Sequence, residues 1–144
     1  MNELNSMKVT FPSLSANEGF ARGAVAVFVS QLDMTISELG DIKTAVSEAV
    51  TNCIVHAYPD SIGEIVLKCR LLPEDTVEIT VKDRGRGIEN VEEAREPLFT
   101  TGGEDRSGMG FTTMESFMDS LRVRSTPGKG TTVVMRRKIA KRAR

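Results

Sequence analysis

The order in which helical and strand periodicities occur along this chain restricts its fold more than any other feature. Eight segments show one period or the other. In chain order they are a strand at 7–11, a helix at about 16–32, a second helix that opens at 35–38 and is strongest over 41–57, strands at 65–71 and 77–83, a helix at about 109–118, and strands at 121–124 and 131–136. Because regular β-α-β alternation is missing, we predict an α+β fold, a two-layer sandwich with helices on one face of a mixed, mostly antiparallel sheet. A length of 144 residues fits one domain, residues 1–144.

Two sequences typical of helix starts precede the long helical segments. Ser15 and Thr35 are each followed three residues later by a glutamate, which is the capping-box pattern. The first helix is predicted to bury the apolar residues that recur with helical spacing, namely Phe20, Ala24, Val27, Phe28 and Leu32. The second is predicted to bury Ile42, Val46, Ala49, Val50, Cys53 and Ala57.

Charge and cysteine content exclude several classes of protein. The 19 Lys and Arg nearly balance the 20 Asp and Glu, and six basic residues lie in the last nine positions, 136–144. This tail adjoins an acidic body and has no interleaved aromatics, so we interpret it as a solvated end and expect no direct contact with nucleic acid. Cys53 and Cys69 belong to no C-x-x-C pair, which excludes a cysteine-rich zinc site. The sequence shows no signal peptide and no apolar run near the ~20 residues that a membrane-spanning helix needs. We therefore expect a cytoplasmic protein and no membrane partner.

A glycine-rich turn, DRGRG at 83–87, follows the alternating strand 77–83. It is not a Rossmann fingerprint, because Asn90 stands where the third glycine is needed, and GKG at 128–130 lacks the Ser or Thr of a Walker loop. Asp83 at the strand end can accept a hydrogen bond from an exocyclic amine such as that of adenine, and Gly85 and Gly87 would let a flat base approach. Taken alone, a plain hairpin turn with an exposed aspartate is the stronger interpretation.

Two further patterns point to nucleotide chemistry. Glu48 and Asn52 are four residues apart at the border of the second helix's apolar stripe, where they could serve a magnesium ion and a polarised hydroxyl; an ordinary amphipathic boundary is the alternative. Gly108 and Gly110 open the third helix, so its free N–H groups are available to a phosphate. The small, polar segment 100–106 has the composition of a mobile lid. GKGTT at 128–132 fits a hairpin turn or a binding loop equally well.

Four of these motifs, in this order, resemble the Bergerat-type ATP-binding fold shared by gyrase B, the ATP-dependent heat-shock chaperones, sensor histidine kinases and MutL. They are EAVTN at 48–52, DRGRG at 83–87, GMG at 108–110 and GKGT at 128–131. Longer strings resemble the anti-sigma factor serine kinases of spore-forming bacilli. These are NEGFAR at 17–22, SEAVTN at 47–52, EEAREPLFTT at 92–101 and RSGMGF at 106–111. The resemblance covers essentially the whole chain.

The resemblance implies a homodimer that binds ATP and magnesium, sequesters a sigma factor and phosphorylates an anti-anti-sigma factor on serine. It assigns roles to particular residues of this sequence. They are Glu48 as general base, Asn52 as magnesium ligand, Asp83 as reader of the adenine amine, Gly85 and Gly87 beside the base, Arg106 near the terminal phosphates, Gly108 and Gly110 around the phosphates, and Thr131 on the adenine side. Arg22, beside an apolar helix face, is a candidate partner contact, with a solvated helix charge as the alternative.

One departure and three rival interpretations accompany this resemblance. The family's lid holds a Lys-Pro pair and is one residue longer, whereas residues 102–105 read GGED, so a looser lid is expected. A non-catalytic, nucleotide-dependent binding module of the same fold is the first rival. A detached histidine kinase domain would need an upstream dimerisation helix, and a gyrase-like ATPase would need a further domain to supply a catalytic lysine.

Overall fold

The fold is described from a computed structural model over residues 3–96 and 110–140. Its elements, in chain order, are β1 (Asn5–Pro12), α1 (Ala16–Val29), α2 (Ile36–Asn52), a π-helical turn (Cys53–Ala57), β2 (Glu64–Leu72), β3 (Thr76–Asp83), α3 (Val91–Ala94), α4 (Gly110–Phe117), β4 (Ser120–Thr126) and β5 (Gly130–Lys138). The predicted strands and long helices are therefore present. The predicted lid, together with Arg106 and Gly108, lies outside the described residues.

The five strands form one sheet in the order β1-β2-β3-β5-β4. Each neighbouring pair of these strands is antiparallel. Alternate residues of β2 and β3, such as Leu67 and Ile79, are fully buried against α1 and α2. The predicted α+β arrangement of helices on one face of a sheet is confirmed. β3 and β5 are neighbours in space although α3, α4 and β4 separate them in sequence, and this pairing brings distant motifs together.

α1 turns a different face to the core from the one predicted. Its buried residues are Ala21, Val25 and Val29, whereas Phe20 is 51% exposed and Val27 is 75% exposed. Both faces of α1 are apolar, so periodicity alone could not decide between them, and the smaller side chains pack inward. The Ser15 capping box is also wrong, because the Ser15 side chain makes no cap hydrogen bond.

The C-terminal end of α1 comes three residues earlier than predicted. The Ser30 hydroxyl donates to the Val27 carbonyl at 2.6 Å, and the Gln31 side chain donates to the Phe28 carbonyl at 2.8 Å. These two side chains occupy carbonyls of the last turn, which a helix end otherwise leaves without partners. The helix therefore stops at Val29.

α2 begins with the predicted capping box. The Glu38 N–H donates to the Thr35 hydroxyl at 3.0 Å, and the Thr35 N–H donates to the Glu38 carboxylate at 2.9 Å. The predicted core stripe is confirmed for Ile42, Val46, Ala49, Val50 and Cys53, all buried. Beyond Asn52 the chain continues as the π-helical turn, closed by the Tyr58 N–H on the Cys53 carbonyl at 3.2 Å.

Candidate functional site

A buried carboxylate at the end of β3 is the centre of the candidate site. Asp83 is 5% exposed, and its Oδ1 accepts the N–H groups of Gly85 at 3.0 Å and Thr131 at 3.1 Å. The Cys53 thiol donates to Oδ2 at 3.4 Å. Burial raises the pKa of Asp83 above its ordinary value, and these three hydrogen bonds oppose the rise. The carboxylate is thus held from three directions, by the π-helical turn, the turn after β3 and strand β5.

The glycines after Asp83 have a packing role that the sequence did not reveal. A Cβ at Gly85 would lie 2.3 Å from the Ala57 carbonyl oxygen, and the Arg86 N–H donates to that same oxygen at 3.1 Å. Gly87 has φ +75°, and a Cβ there would lie 2.3 Å from the Thr126 carbonyl oxygen. Glycine lets the turn approach both neighbours closely. Their predicted role beside a bound base stays a prediction.

Gly130 and Ser125 complete the far side of the site, and sequence reasoning missed both roles. Gly130 has φ +120°, and a Cβ there would lie 2.2 Å from the Asp83 carbonyl oxygen. The Ser125 hydroxyl lies 2.7 Å from the Thr131 hydroxyl and accepts the Ile88 N–H at 2.7 Å. Thr131, predicted to face the adenine, therefore lies beside Asp83 with its hydroxyl fixed. The GKGT motif at 128–131 was the sequence signal for the position of Thr131, but it fitted a plain hairpin turn equally well.

Glu48 and Asn52 lie beside the start of α4. Both are half-buried on α2, and a Cβ at Gly110 would lie 3.2 Å from Asn52 Oδ1 and 3.4 Å from Glu48 Oε2. A carboxylate, a carboxamide and the first turn of a helix therefore come together. Glycine at 110 leaves the space between them open. This arrangement can present a base and a metal ligand to a phosphate near that helix.

Tyr58, directly after the π-helical turn, links the start of β2 to the end of β3 and was not predicted to matter. Its hydroxyl accepts the Arg84 N–H at 2.7 Å and donates to the Glu64 carbonyl at 2.8 Å. Burial raises the pKa of Tyr58, so the hydroxyl remains a donor near neutral pH. The bond to Arg84 fixes the backbone directly after Asp83. The only sequence signal was a single tyrosine before the helix-breaking Pro59.

Arg22 lies on α1, on an exposed surface away from the core. It forms an ion pair with Glu18 at 3.7 Å, and 45% of its side chain is exposed. Beside it runs an open apolar groove, lined by Met7, Gly19, Phe20, Gly23, Ala24, Val27 and Phe28. Arg22 therefore lies next to an apolar surface, as the sequence predicted. Its role as a partner contact stays a prediction.

The donor set fits a nucleotide with a magnesium ion held mainly by phosphates. Within residues 3–96 and 110–140, no group of three or more His, Cys, Asp or Glu could hold a metal ion. Magnesium in nucleotide sites needs only one or two protein ligands besides phosphates and water, and Asn52 can supply one.

None of the helices within residues 3–96 and 110–140 has the length and apolar character that a membrane-spanning segment needs.

The fold and site together define a kinase-like ATPase domain. The family model of the histidine kinase-like ATPase domain matches residues 11–137. The chain is 56% identical over 138 residues to an anti-sigma F factor of Caldanaerobacter subterraneus subsp. tengcongensis, covering 95% of this chain and 96% of that relative. This chain belongs to the histidine kinase-like ATPase family and, within it, to the anti-sigma F factors.

Solved structures show the same fold at low sequence identity. The RsbU and RsbW domains of a Mycobacterium tuberculosis protein match 97% of this chain and 34% of that chain, with a TM-score of 0.72 and 21% identity. Full-length ShkA in complex with AMPPNP matches 74% of this chain and 23% of that chain, with a TM-score of 0.58 and 18% identity.

Proposed function

We propose that this protein is a cytoplasmic anti-sigma factor of the sporulation type. It sequesters sigma F and uses Mg-ATP to phosphorylate an anti-anti-sigma factor on serine. The observation that carries the kinase activity is the convergence of Glu48 and Asn52 on Gly110 at the start of α4. The high identity to an anti-sigma F factor supports the sigma-binding role.

In the proposed reaction each motif residue has one role. Asp83 accepts the exocyclic amine of adenine, and Thr131 lies on the same side. Asn52 would hold a magnesium ion, which would neutralise charge on the phosphates. Glu48 accepts the proton of the substrate serine hydroxyl. The serine oxygen bonds to the γ-phosphorus, and the bond from that phosphorus to the bridging oxygen breaks, so that ADP leaves. By their motifs, Gly85 and Gly87 are assigned to the base, and Gly108, Gly110 and Arg106 to the phosphates; Arg106 and Gly108 lie outside the described residues. Positioning and charge neutralisation supply most of the rate in phosphoryl transfer.

A direct transfer assay tests this proposal. The purified protein is mixed with magnesium, γ-labelled ATP and a candidate anti-anti-sigma protein, and phosphate on the partner's serine is measured. Wild type should label the serine, and Glu48→Gln should reduce the rate by about 10²-fold or more while ATP still binds. Glu92→Gln, on the exposed face of α3, is the matched control and should label normally.

The alternative, a non-catalytic module that uses the nucleotide only as a switch, gives a different result. In that case ATP and sigma factor bind, but no serine is labelled by wild type or by either variant. Labelling that is unaffected by Glu48→Gln would keep the kinase and reject Glu48 as its base.

We also propose that the apolar groove of α1 and β1 is the homodimer surface. Phe20 and Val27 expose 51% and 75% of their surface there, which is a large apolar area to leave in water. Val27→Glu should convert a dimer to a monomer in light scattering after gel filtration. Ile62→Glu is the control, because Ile62 is similarly exposed at 66% but lies outside the groove. If Val27→Glu stays dimeric, the dimer uses another surface.

Arg22 is proposed to contact a protein partner from the edge of this surface. Arg22→Ala should weaken sigma binding, self-association or both, while Arg122→Ala, an exposed arginine of β4, should change neither. Unaltered sigma affinity and unaltered dimerisation in Arg22→Ala would reject this role.

A further inference from the structure

We propose that Cys53 is a positioning residue for adenine recognition: its thiol orients the Asp83 oxygen that accepts the exocyclic amine. The inference rests on the proposed function, in which Asp83 reads adenine. It concerns a residue outside the recognised motifs, the first of the π-helical turn after Asn52.

The hydrogen bonds of Asp83 show which oxygen is left for a ligand. Oδ1 accepts two backbone N–H groups, from Gly85 and Thr131, and has no further lone pair to offer. Oδ2 accepts only the Cys53 thiol among the described residues, at 3.4 Å. A carboxylate oxygen has two lone pairs, so Oδ2 retains one. An adenine amine would therefore bind Oδ2, beside the thiol.

The thiol is a fixed donor. Cys53 is 4% exposed, and its Sγ lies within hydrogen-bond distance of Asp83 Oδ2. The turn that carries it is anchored by the bond of the Arg86 N–H to the Ala57 carbonyl. Each donor to Asp83 favours the ionised carboxylate against the effect of burial. An ionised carboxylate only accepts hydrogen bonds, so it prefers an amino group at this position of the base to a carbonyl group.

Two nucleotides that differ in one group test the inference. ATP carries the exocyclic amine, and purine riboside 5′-triphosphate lacks it. Dissociation constants of both are measured by calorimetry for wild type, Cys53→Ala and Cys53→Ser. Cys69→Ala is the matched control, since Cys69 is also a buried thiol but lies within β2. The unfolding midpoint of each variant without nucleotide is recorded as well.

Loss confined to the amine-bearing nucleotide is the expected result. Cys53→Ala should weaken ATP binding by about five- to tenfold and leave purine riboside triphosphate nearly unchanged, which is the size expected for one ordinary hydrogen bond, because a thiol is a weak donor. Cys53→Ser, which restores a donor, should recover most of the lost affinity. Cys69→Ala should bind both nucleotides as wild type does.

Other results overturn the inference in distinguishable ways. In the first, wild type prefers ATP while Cys53→Ala weakens the binding of both nucleotides equally, or of neither. In that case Cys53 has no positioning role, and the adenine role of Asp83 survives. If wild type binds both nucleotides equally or binds neither, the adenine role of Asp83 fails and the inference fails with it.

Discussion

Because Gly130 has no side chain, β5 can approach the backbone of Asp83 closely. Its φ is +120°, and a Cβ would lie 2.2 Å from the Asp83 carbonyl oxygen, which is backbone and cannot move aside alone. We expect Gly130→Ala to lower the free energy of unfolding by about 2–4 kcal/mol, combining overpacking with backbone strain. It should also weaken ATP binding, because Thr131 would shift away from the carboxylate.

Gly128→Ala is the control for that change. Gly128 also has a positive φ, +79°, but a Cβ there would meet nothing within 4 Å. Backbone strain alone should cost about 1–2 kcal/mol, with ATP binding retained. Urea denaturation of both variants measures the difference, and equal losses of stability and of ATP binding would contradict the packing role of Gly130.

Glu38 is the residue whose ionisation should affect stability in acid. Its carboxylate accepts the N–H groups of Thr35 at 2.9 Å and Ala140 at 3.1 Å, which lower the pKa of Glu38 below its ordinary value. A lowered pKa contributes stability that is present above the unfolded value of 4.5 and is lost as the pH falls through the lower folded value. Glu38→Gln sets an amide N–H₂ group against one of these donors.

We therefore expect Glu38→Gln to be less stable than wild type by about 1–3 kcal/mol at pH 7. The difference should shrink as the pH is lowered from about 5 to 3, where wild-type Glu38 becomes protonated. Glu89→Gln, at an exposed position of the turn before α3, should follow the wild-type curve. A gap between wild type and Glu38→Gln that is the same at every pH would show that charge is not involved.

At the scale of elements, α1 and α2 each contain one glycine that packing within the chain does not require. Nothing lies within 4 Å of a Cβ at Gly23, and the same is true of Gly40 in α2. Glycine in a helix costs about 0.5–1 kcal/mol relative to alanine, so Gly23→Ala and Gly40→Ala should each stabilise an isolated chain by that amount. If a second copy packs on the α1 groove, only Gly23→Ala should weaken self-association, as sedimentation equilibrium would show. A Gly23→Leu variant that still dimerises normally would reject close packing at this point.

The elements also show which sequence patterns were reliable. The capping box at Thr35 and the alternation in β3 were predicted correctly because each depends on neighbours within a few residues. The orientation of α1 was predicted wrongly because Phe20 and Val27 are as apolar as the residues that are buried. The π-helical turn after Asn52 had no local signal; its last residue, Ala57, accepts the Arg86 N–H, a contact between segments distant in sequence.

In the candidate site, too, local motifs could be predicted and long-range contacts could not. Glu48, Asn52 and Asp83 could be proposed because each lies in a short motif. The contact of Cys53 with Asp83 could not, because it spans 30 residues and depends on the π-helical turn. Thr131 was placed beside adenine by resemblance, and the β3–β5 pairing supplies the physical reason for its position near Asp83.

At the scale of the whole molecule, the face of the sheet opposite α1 and α2 carries exposed lysines on neighbouring strands. Lys8 of β1 and Lys68 of β2 are direct cross-strand neighbours, and both are exposed. On the same face Glu78 bridges Arg70 and Arg136, each at 2.7 Å. Like charges directly opposite one another in a sheet are destabilising. The pair of lysines therefore reduces the stability of the β1–β2 contact.

Reversing one of those charges should stabilise the protein. Lys8→Glu or Lys68→Glu creates an opposite-charge pair and should raise the free energy of unfolding by about 0.2–1 kcal/mol. The double variant restores like charges and should lose that gain. Both effects should diminish at about 1 M salt, where the screening length is about 3 Å. Additive gains in the double variant would show that the two side chains do not interact.

The pairing of β3 with β5 also bears on the order of events in folding. The bond from the Thr131 N–H to Asp83 joins residues 48 apart in sequence, so it forms only after a long loop has closed. The hairpin of β2 and β3, whose pairing is local, can form earlier. Until that loop closes, the Asp83 carboxylate lacks its Thr131 donor. Nucleotide should accelerate refolding little and slow unfolding strongly, because it recognises a site that is completed last.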